Sequence, residues 1–255
     1  EPNFYYVTPL LNCLYDCDYC FLQGMYSSAN LVLFVNQHDM MDAVAEVAAR
    51  PPAPDHPVVV AVSYNTDLLA FEQIVPLCRE WIAFRRRHEN VRLEIRTKSA
   101  NIRALRDSAP DPSVVLAWTL SPPSVAAAFE SGAPPPSARI RAAARAAEAG
   151  WPLRLCFDPV LAVDGWESIY PAFIHEVFAV LDPQTVRDAS VGVFRMAAST
   201  FKTIKRRRPG SELYYRDTDH RDGLVRERDD LRGEITNRMT ETLRRYLPAD
   251  RIAVG

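Results

Sequence analysis

An α/β fold built on a parallel sheet is what this sequence predicts, on three observations. Short apolar, β-branched runs alternate with helix-like segments about six times. Each run gives way to polar or proline-containing turn chemistry. The chain, at 255 residues, is long enough for one large domain with its own core.

Strands are predicted at Phe4 to Thr8, Pro57 to Ser63 (PVVVAVS), Val91 to Thr97 (VRLEIRT), Val114 to Leu120 (VVLAWTL), Leu153 to Phe157 (LRLCF) and Val186 to Phe194. Helices are predicted between and after them, at Asp39 to Ala49, Phe71 to His88, Ile102 to Arg106, Ser137 to Ala149, Trp166 to Leu181 and Thr200 to Arg207, with Gly150 as the stop of the fourth. Such alternation needs crossover connections, so the sheet is parallel and is either doubly wound or an incomplete (β/α) barrel. Both architectures place chemistry at the C-terminal ends of the strands. Beyond the sixth unit, Ser211 to Arg226 is polar, Arg228 to Tyr246 reads as one more helix, and Arg251 to Val254 as a last short strand. The expected division is therefore a partial barrel over residues 1–210 and a C-terminal helical extension over 211–255, packed on it. No internal repeat is present, and PPAP at 51–54 and APPP at 133–136 are loop punctuation.

Lys and Arg number 30 against 32 Asp and Glu, a formal net charge of −2, so overall charge points to neither nucleic acid nor a membrane surface, and any basic patch must be local. No apolar run approaches the ~20 residues of a membrane span, and the opening EPNFYYVTPLLNC lacks the basic-then-apolar order of a secretion signal. A cytoplasmic protein with no membrane partner is expected. The sequence opens on Glu1 rather than Met, so an N-terminal segment is expected to precede it.

Three of the five cysteines, Cys13, Cys17 and Cys20, are crowded into C-x3-C-x2-C after the first predicted strand, while Cys78 and Cys156 stand apart. An odd, unevenly spaced set is no disulfide framework. Three thiolates can fill three corners of a [4Fe–4S] cube and leave one iron without a protein ligand. A structural zinc site would need a fourth ligand, and the nearest candidate, His38, lies eighteen residues beyond Cys20. An open iron–sulfur cluster, structural zinc and three unrelated thiols remain the alternatives on spacing alone. Cys78, in VPLCREW on an amphipathic helix, reads as a core residue.

The C-x3-C-x2-C array with Tyr19 before its last Cys resembles the cluster motif of the radical S-adenosylmethionine (SAM) superfamily. The stretches CLYDCDYCFLQGMYSSANLVLFVN, IRTKSANIRAL, LAWTLSPPSVAAAFESGAPPPSARIRAAARAAEAGWPLRLCFDPVL and VGVFRM resemble, more narrowly, the spore photoproduct lyase family of radical SAM DNA-repair enzymes. The resemblance implies an incomplete (β/α)6 TIM-like barrel of the radical SAM type. It also implies a [4Fe–4S] cluster held by Cys13, Cys17 and Cys20, and S-adenosyl-L-methionine chelated to the open iron and cleaved to a 5′-deoxyadenosyl radical. An electron donor such as a flavodoxin or ferredoxin follows from that chemistry.

Carried over residue by residue, Tyr19 and Phe21 flank the last ligand, against the adenosyl group and along the radical path. The family usually has Tyr where Phe21 stands. Asn65, Thr66 and Asp67, ending the second strand in SYNTD, offer acceptors to the methionine ammonium. Lys98 is placed for the SAM carboxylate, and Thr119 or Ser121 for ribose or carboxylate. A plainer role for Asp67 is a helix N-cap, and for Lys98 a solvated cation. The family's hydrogen-donating cysteine, near the end of the second strand, is Tyr64 here; a phenol can also give up a hydrogen atom. Strand alternation puts Arg154, Cys156 and Asp158 on one face, so Cys156 is a second donor candidate if that face lines the barrel, and a packed core thiol if it does not.

Local positive charge lies in RRRH at 85–88, read as a solvated helix end, and in KTIKRRR at 202–208. Lys202, Lys205, Arg206, Arg207 and Arg208, with Tyr214 and Tyr215 as stacking or wedging aromatics, are the candidate DNA contacts. The expected function is repair of a thymine photolesion in DNA by a carbon–carbon lyase. The alternatives are a related radical SAM enzyme with another substrate, favoured by Tyr64, and a non-catalytic metal-binding module.

Overall fold

The computed structural model describes residues 2–255; Glu1 lies outside the described residues. The apolar runs form the strands β1 (Phe4–Tyr6), β2 (Val58–Ala61), β3 (Val91–Thr97), β4 (Val114–Thr119), β5 (Leu153–Val160) and β6 (Val186–Val193), and the C-terminal run adds β7 (Ile252–Val254). All neighbours pair parallel, and the spatial order is the chain order, β1 through β7. A doubly wound sheet reverses direction at a switch point; this one does not. Of the two architectures left open by the sequence, the partial barrel is therefore the one formed, with a seventh strand on its open edge.

The larger helices α1 (Gln37–Ala49), α2 (Leu77–Arg86), α3 (Pro136–Glu148), α4 (Trp166–Val180), α5 (Ala198–Arg207) and α6 (Asp229–Leu243) lie near the predicted positions. One expectation fails. Phe71 to His88 is not continuous: a short helix Leu68–Phe71 ends before Pro76, and α2 starts after it. A proline inside the helix would have lost a hydrogen bond and clashed with the preceding turn. Instead the buried Glu72 carboxylate accepts from the Cys78 and Arg79 amides and caps the new start. A short helix at Pro123–Phe129 and a hairpin, Asp219–Arg221 with Leu224–Arg226, were not foreseen; the hairpin is joined by Arg195–Ala197. The strand at Leu153 also runs three residues further than expected, to Val160.

Outward faces of the strands bury against the helices in one core. Val60, Leu93, Ile95, Leu116, Trp118, Leu155 and Phe157 are all essentially inaccessible. Cys78 belongs to that core, as expected. The inward faces carry the polar residues, Ser63, Glu94, Arg96, Thr119, Arg154, Cys156 and Asp158 among them, and these converge on the site. Residues 211–255 are continuous with this body: α6 packs on α4 and β6, and β7 pairs with β6.

Candidate active site

The loop after β1 carries the three thiols across the C-terminal mouth of the barrel. Its turn is set by Asn12, whose positive φ of 67° is tolerated by asparagine and whose side-chain amide donates to the Ser28 and Asn30 carbonyls. Asp16 and Cys17 then pair antiparallel with Ser131 and Glu130, tying the loop to the segment after the short helix Pro123–Phe129.

Cys13, Cys17 and Cys20 all line one cavity of about 520 Å³, with Tyr15, Tyr19, Phe21, Ser63, Tyr64, Thr66, Asp67, Lys98 and Thr119. Burial pushes the Cys13 thiol up to about 12, with the Asp67 carboxylate adding to it, and Cys17 up to about 11. Thiolates so desolvated need a cationic partner, which is what a metal supplies. The described lining of the cavity offers no fourth cysteine or histidine to close a structural zinc site, and three thiols are what a cluster with one open iron requires.

Tyr19 is buried, and its hydroxyl donates to Glu130, which is also hydrogen-bonded by Ser121 at 2.8 Å and paired with the fully buried Arg139. Burial alone would raise the Glu130 pKa, but Lys98, Arg139 and these hydrogen bonds outweigh it and hold it below the usual carboxylate range. Lys98 lies over the Tyr19 ring, 5.2 Å from its centroid. Burial pulls its pKa down; Cys17, Glu130 and Cys20 outweigh that and leave it raised, so it stays a cation facing the thiols.

The other sequence candidates are distributed unevenly. Asp67 lines the cavity, yet it also has the plainer role: Oδ1 accepts from the Ala70 amide as an N-cap and from Thr97 Oγ1, and Oδ2 accepts from the Lys98 amide at 2.7 Å. It therefore fixes where Lys98 emerges. Thr66 lines the cavity with a buried hydroxyl that has no partner among the described residues. Asn65 does not line it; its Nδ2 donates to Thr8 Oγ1 at 2.8 Å. Ser121 is likewise buried and spent on Glu130, so of the two fourth-strand candidates only Thr119 reaches the cavity.

Tyr64 is half-exposed at the mouth, stacked on Tyr6 with centroids 4.6 Å apart, and 6.0 Å from Phe21. Cys156 shares the inward face with Arg154 and Asp158, as alternation predicts, but is wholly buried and does not line the cavity.

The basic run is corrected in part. Arg208 pairs with Asp16 and, at 2.7 Å, with Asp18. Arg207 donates to the Gln23 and Tyr26 carbonyls at 2.6 and 3.1 Å. Tyr214 is 1% exposed, packs against Phe201 and donates to the Asp18 carbonyl. These three hold the thiol loop. Lys202 and Arg206 are exposed, and Lys205 lies 4.3 Å over the exposed Tyr215 ring. Sequence reasoning missed Glu130, Arg139, Glu94, Arg96 and Arg195. Alternation in VRLEIRT, applied as it was to LRLCF, would have placed Glu94 and Arg96 inward. Nothing local marks the Glu130–Arg139 pair.

Comparison with known proteins agrees with this fold. Residues 1–253 match the family model described as spore photoproduct lyase. The chain is 27% identical over 189 residues to spore photoproduct lyase of Bacillus subtilis (strain 168), covering 73% of this chain and 54% of that one. It is 25% identical over 217 residues to the enzyme of the same name from Geobacillus sp. (strain Y412MC61), covering 84% and 63%. The chain thus spans a little over half to three-fifths of those relatives. A solved variant of spore photoproduct lyase with bound AdoMet and dinucleoside spore photoproduct superposes with a TM-score of 0.81 at 21% identity, over 96% of this chain and 74% of that one. At that identity the likeness is one of fold.

Proposed function

Because the chain belongs to the spore photoproduct lyase family, a radical SAM family, we propose that it binds a [4Fe–4S] cluster and SAM and acts on a thymine photolesion in DNA. The observation that carries this reading is the meeting of Cys13, Cys17, Cys20 and the cationic Lys98 in one cavity at the C-terminal mouth of a parallel partial barrel. When bound, the cluster and SAM would together supply a strongly hydrogen-abstracting 5′-deoxyadenosyl radical.

The chain's own residues supply placement and containment. Cys13, Cys17 and Cys20 are the cluster ligands. Lys98, held by the Asp67 contact to its amide, offers a cation to the SAM carboxylate. Thr66, Asp67 and Thr119 provide acceptors near the amino group and ribose, and the unpartnered Thr66 hydroxyl supports a polar ligand there. Tyr19 and Phe21 wall the adenosyl side, the Tyr19 hydroxyl being committed to Glu130. Tyr64 is the better-placed candidate to return a hydrogen atom to product, because it faces the cavity while Cys156 is sealed beneath it. Lys202, Lys205, Arg206 and Tyr215 remain the candidate DNA contacts, and a flavodoxin or ferredoxin the candidate electron source.

Anaerobic reconstitution with iron and sulfide, then reduction with SAM and dinucleoside spore photoproduct, tests the assignment. Cluster absorption, 5′-deoxyadenosine and repaired dinucleotide are the expected results, with Cys20→Ala losing all three. Undiminished SAM cleavage by Cys20→Ala would overturn it. A second reading, a related enzyme with another substrate, is favoured by Tyr64 in the donor position; SAM cleavage without lesion turnover would select it.

A further inference from the structure

Below the level of Lys98, the inward barrel face carries charges that the SAM contacts do not use. Alternation along β3 puts Arg96 one side-chain repeat beneath Lys98, about 6–7 Å deeper. Glu94 is one repeat deeper still. Arg154 of β5 is in register with Arg96 through Ala117 and lies beside Asp188 of β6, while Asp158, further toward the mouth on β5, reaches the Arg96 guanidinium.

The two arginines differ. Arg154 is held through all three of its nitrogens: Nη1 lies 2.6 Å from Glu94, and Nε and Nη2 lie 2.5 and 3.0 Å from Asp188. Among the described residues Arg96 makes a single long side-chain hydrogen bond, Nη1 to Asp158 Oδ2 at 3.4 Å, and its Nε is 3.8 Å from Glu94, too far for another. Most of its donors are unspent, and both Arg96 and Asp158 line the cavity. Their placement is built into the fold. The Asp158 carboxylate lies over Gly192 of β6, where an added Cβ would come within 2.5 Å of Oδ1, so only glycine leaves it this room.

The charge balance narrows the ligand. Asp67, Glu94 and Asp158 on the cavity wall are matched by Arg96, Lys98 and Arg195 (three acids, three bases), and Asp188 behind them is held by Arg154 and Arg187, so the wall carries no net charge. A phosphate or free carboxylate on Arg96 would lie against the Asp158 carboxylate at close range. A neutral edge presenting an acceptor beside a donor would instead satisfy the loosely held guanidinium and the carboxylate together. We propose that Arg96 and Asp158 form a specificity pair for the C=O/N–H edge of a cyclic imide or lactam, the edge that a pyrimidine ring presents. The proposal rests on the pyrimidine-lesion reading above and deepens it, assigning the base-recognition contact to these two residues.

The test uses the reconstituted full chain with SAM and measures binding of dinucleoside spore photoproduct, its N3-methylated analogue and an unmodified thymidine dinucleotide. N3-methylation should weaken lesion binding at least about tenfold, as expected for a hydrogen bond to a charged group left unmade. Asp158→Ala, which removes the acceptor, should erase that discrimination, and Arg96→Lys should weaken binding of the unmethylated ligand. Equal binding of the lesion and its methylated analogue by the unaltered protein overturns the pair's role while leaving the lesion reading standing. Binding of the unmodified dinucleotide but not the lesion, still sensitive to Arg96 and Asp158, supports the pair and overturns the lesion reading. Failure to bind any of the three, or loss of SAM affinity in Arg96→Lys in place of dinucleotide affinity, overturns the pair.

Discussion

At the scale of single residues, function here depends on side chains whose partners are already fixed. Lys98 has its amide anchored by Asp67 and its ammonium suspended over Tyr19, so its position is set before any ligand arrives. Lys98→Ala should weaken SAM binding by about 1.5–3 kcal/mol, the range for a lost hydrogen bond to a charged group, with iron content unchanged. Lys98→Arg should rescue it only in part, because a planar fork does not replace a point charge. Equal SAM affinity in Lys98→Ala would place the ammonium outside the cofactor contacts. Tyr64 differs from Lys98 in being half-exposed and stacked on Tyr6, a phenol presented to the cavity. If it returns the hydrogen atom, Tyr64→Phe should leave SAM cleavage intact and divert product to adducts, and Tyr64→Cys should restore clean repair. Clean repair by both Tyr64→Phe and the double variant with Cys156→Ala would exclude both side chains and point to a small-molecule thiol or SAM itself.

Among the elements, the thiol loop and its clamp show what a sequence does and does not disclose. Strand positions were legible because each is a short apolar, β-branched run closed by turn residues, and VVLAWT and VRLEIRT could be placed almost to the residue. The cluster ligands were legible because their chemistry requires close spacing. The support of that loop was not. Arg208 meets Asp16 and Asp18 across some 190 residues, and Tyr214 reaches the Asp18 carbonyl from a similar distance. Read locally, KRRRPG looks like an exposed basic run. Gly24 belongs to the same clamp: an added Cβ would meet Ile204 at 2.7 Å and Thr200 at 2.9 Å, so the short helix Leu22–Met25 sits directly on α5. Arg208→Ala should therefore speed protease cleavage within residues 13–26 of the metal-free protein and lower iron retention, while Lys202→Ala does neither. Unchanged cleavage and iron content in Arg208→Ala would show that the loop holds itself. The Glu130–Arg139 pair braces the same loop from the opposite side. Removing one member of a buried pair leaves an uncompensated charge, so Glu130→Ala should cost about 3–5 kcal/mol in urea unfolding.

For the whole molecule, the consequential feature is that the chain's last forty-five residues share the barrel's core and sheet. The sequence suggested a division near residue 210, because polarity rises and the β-α alternation stops there. Polarity, however, marks only the surface of the hairpin. Further on, Ile235, Met239, Leu243 and Leu247 are buried in the same core as the barrel helices, Tyr246 stacks on Phe178 at 4.3 Å and accepts a hydrogen bond from or donates one to His175 at 2.7 Å, and β7 completes the sheet beside β6. Those four aliphatic side chains contribute roughly 6–12 kcal/mol if each is worth about 1.5–3 kcal/mol on full burial. That is comparable with the entire stability of an ordinary domain, about 5–15 kcal/mol. We therefore propose that residues 1–210 and 211–255 fold as one cooperative unit. A chain ending at residue 210 should be insoluble or lack a cooperative thermal transition, and the 211–255 peptide should show little helix in isolation. Adding the peptide in trans should restore a transition only if the fragment keeps the α4 and β6 surface intact. A fragment of residues 1–210 that melts cooperatively within a few degrees of the whole chain would overturn the single-unit account and restore the boundary that composition alone suggested.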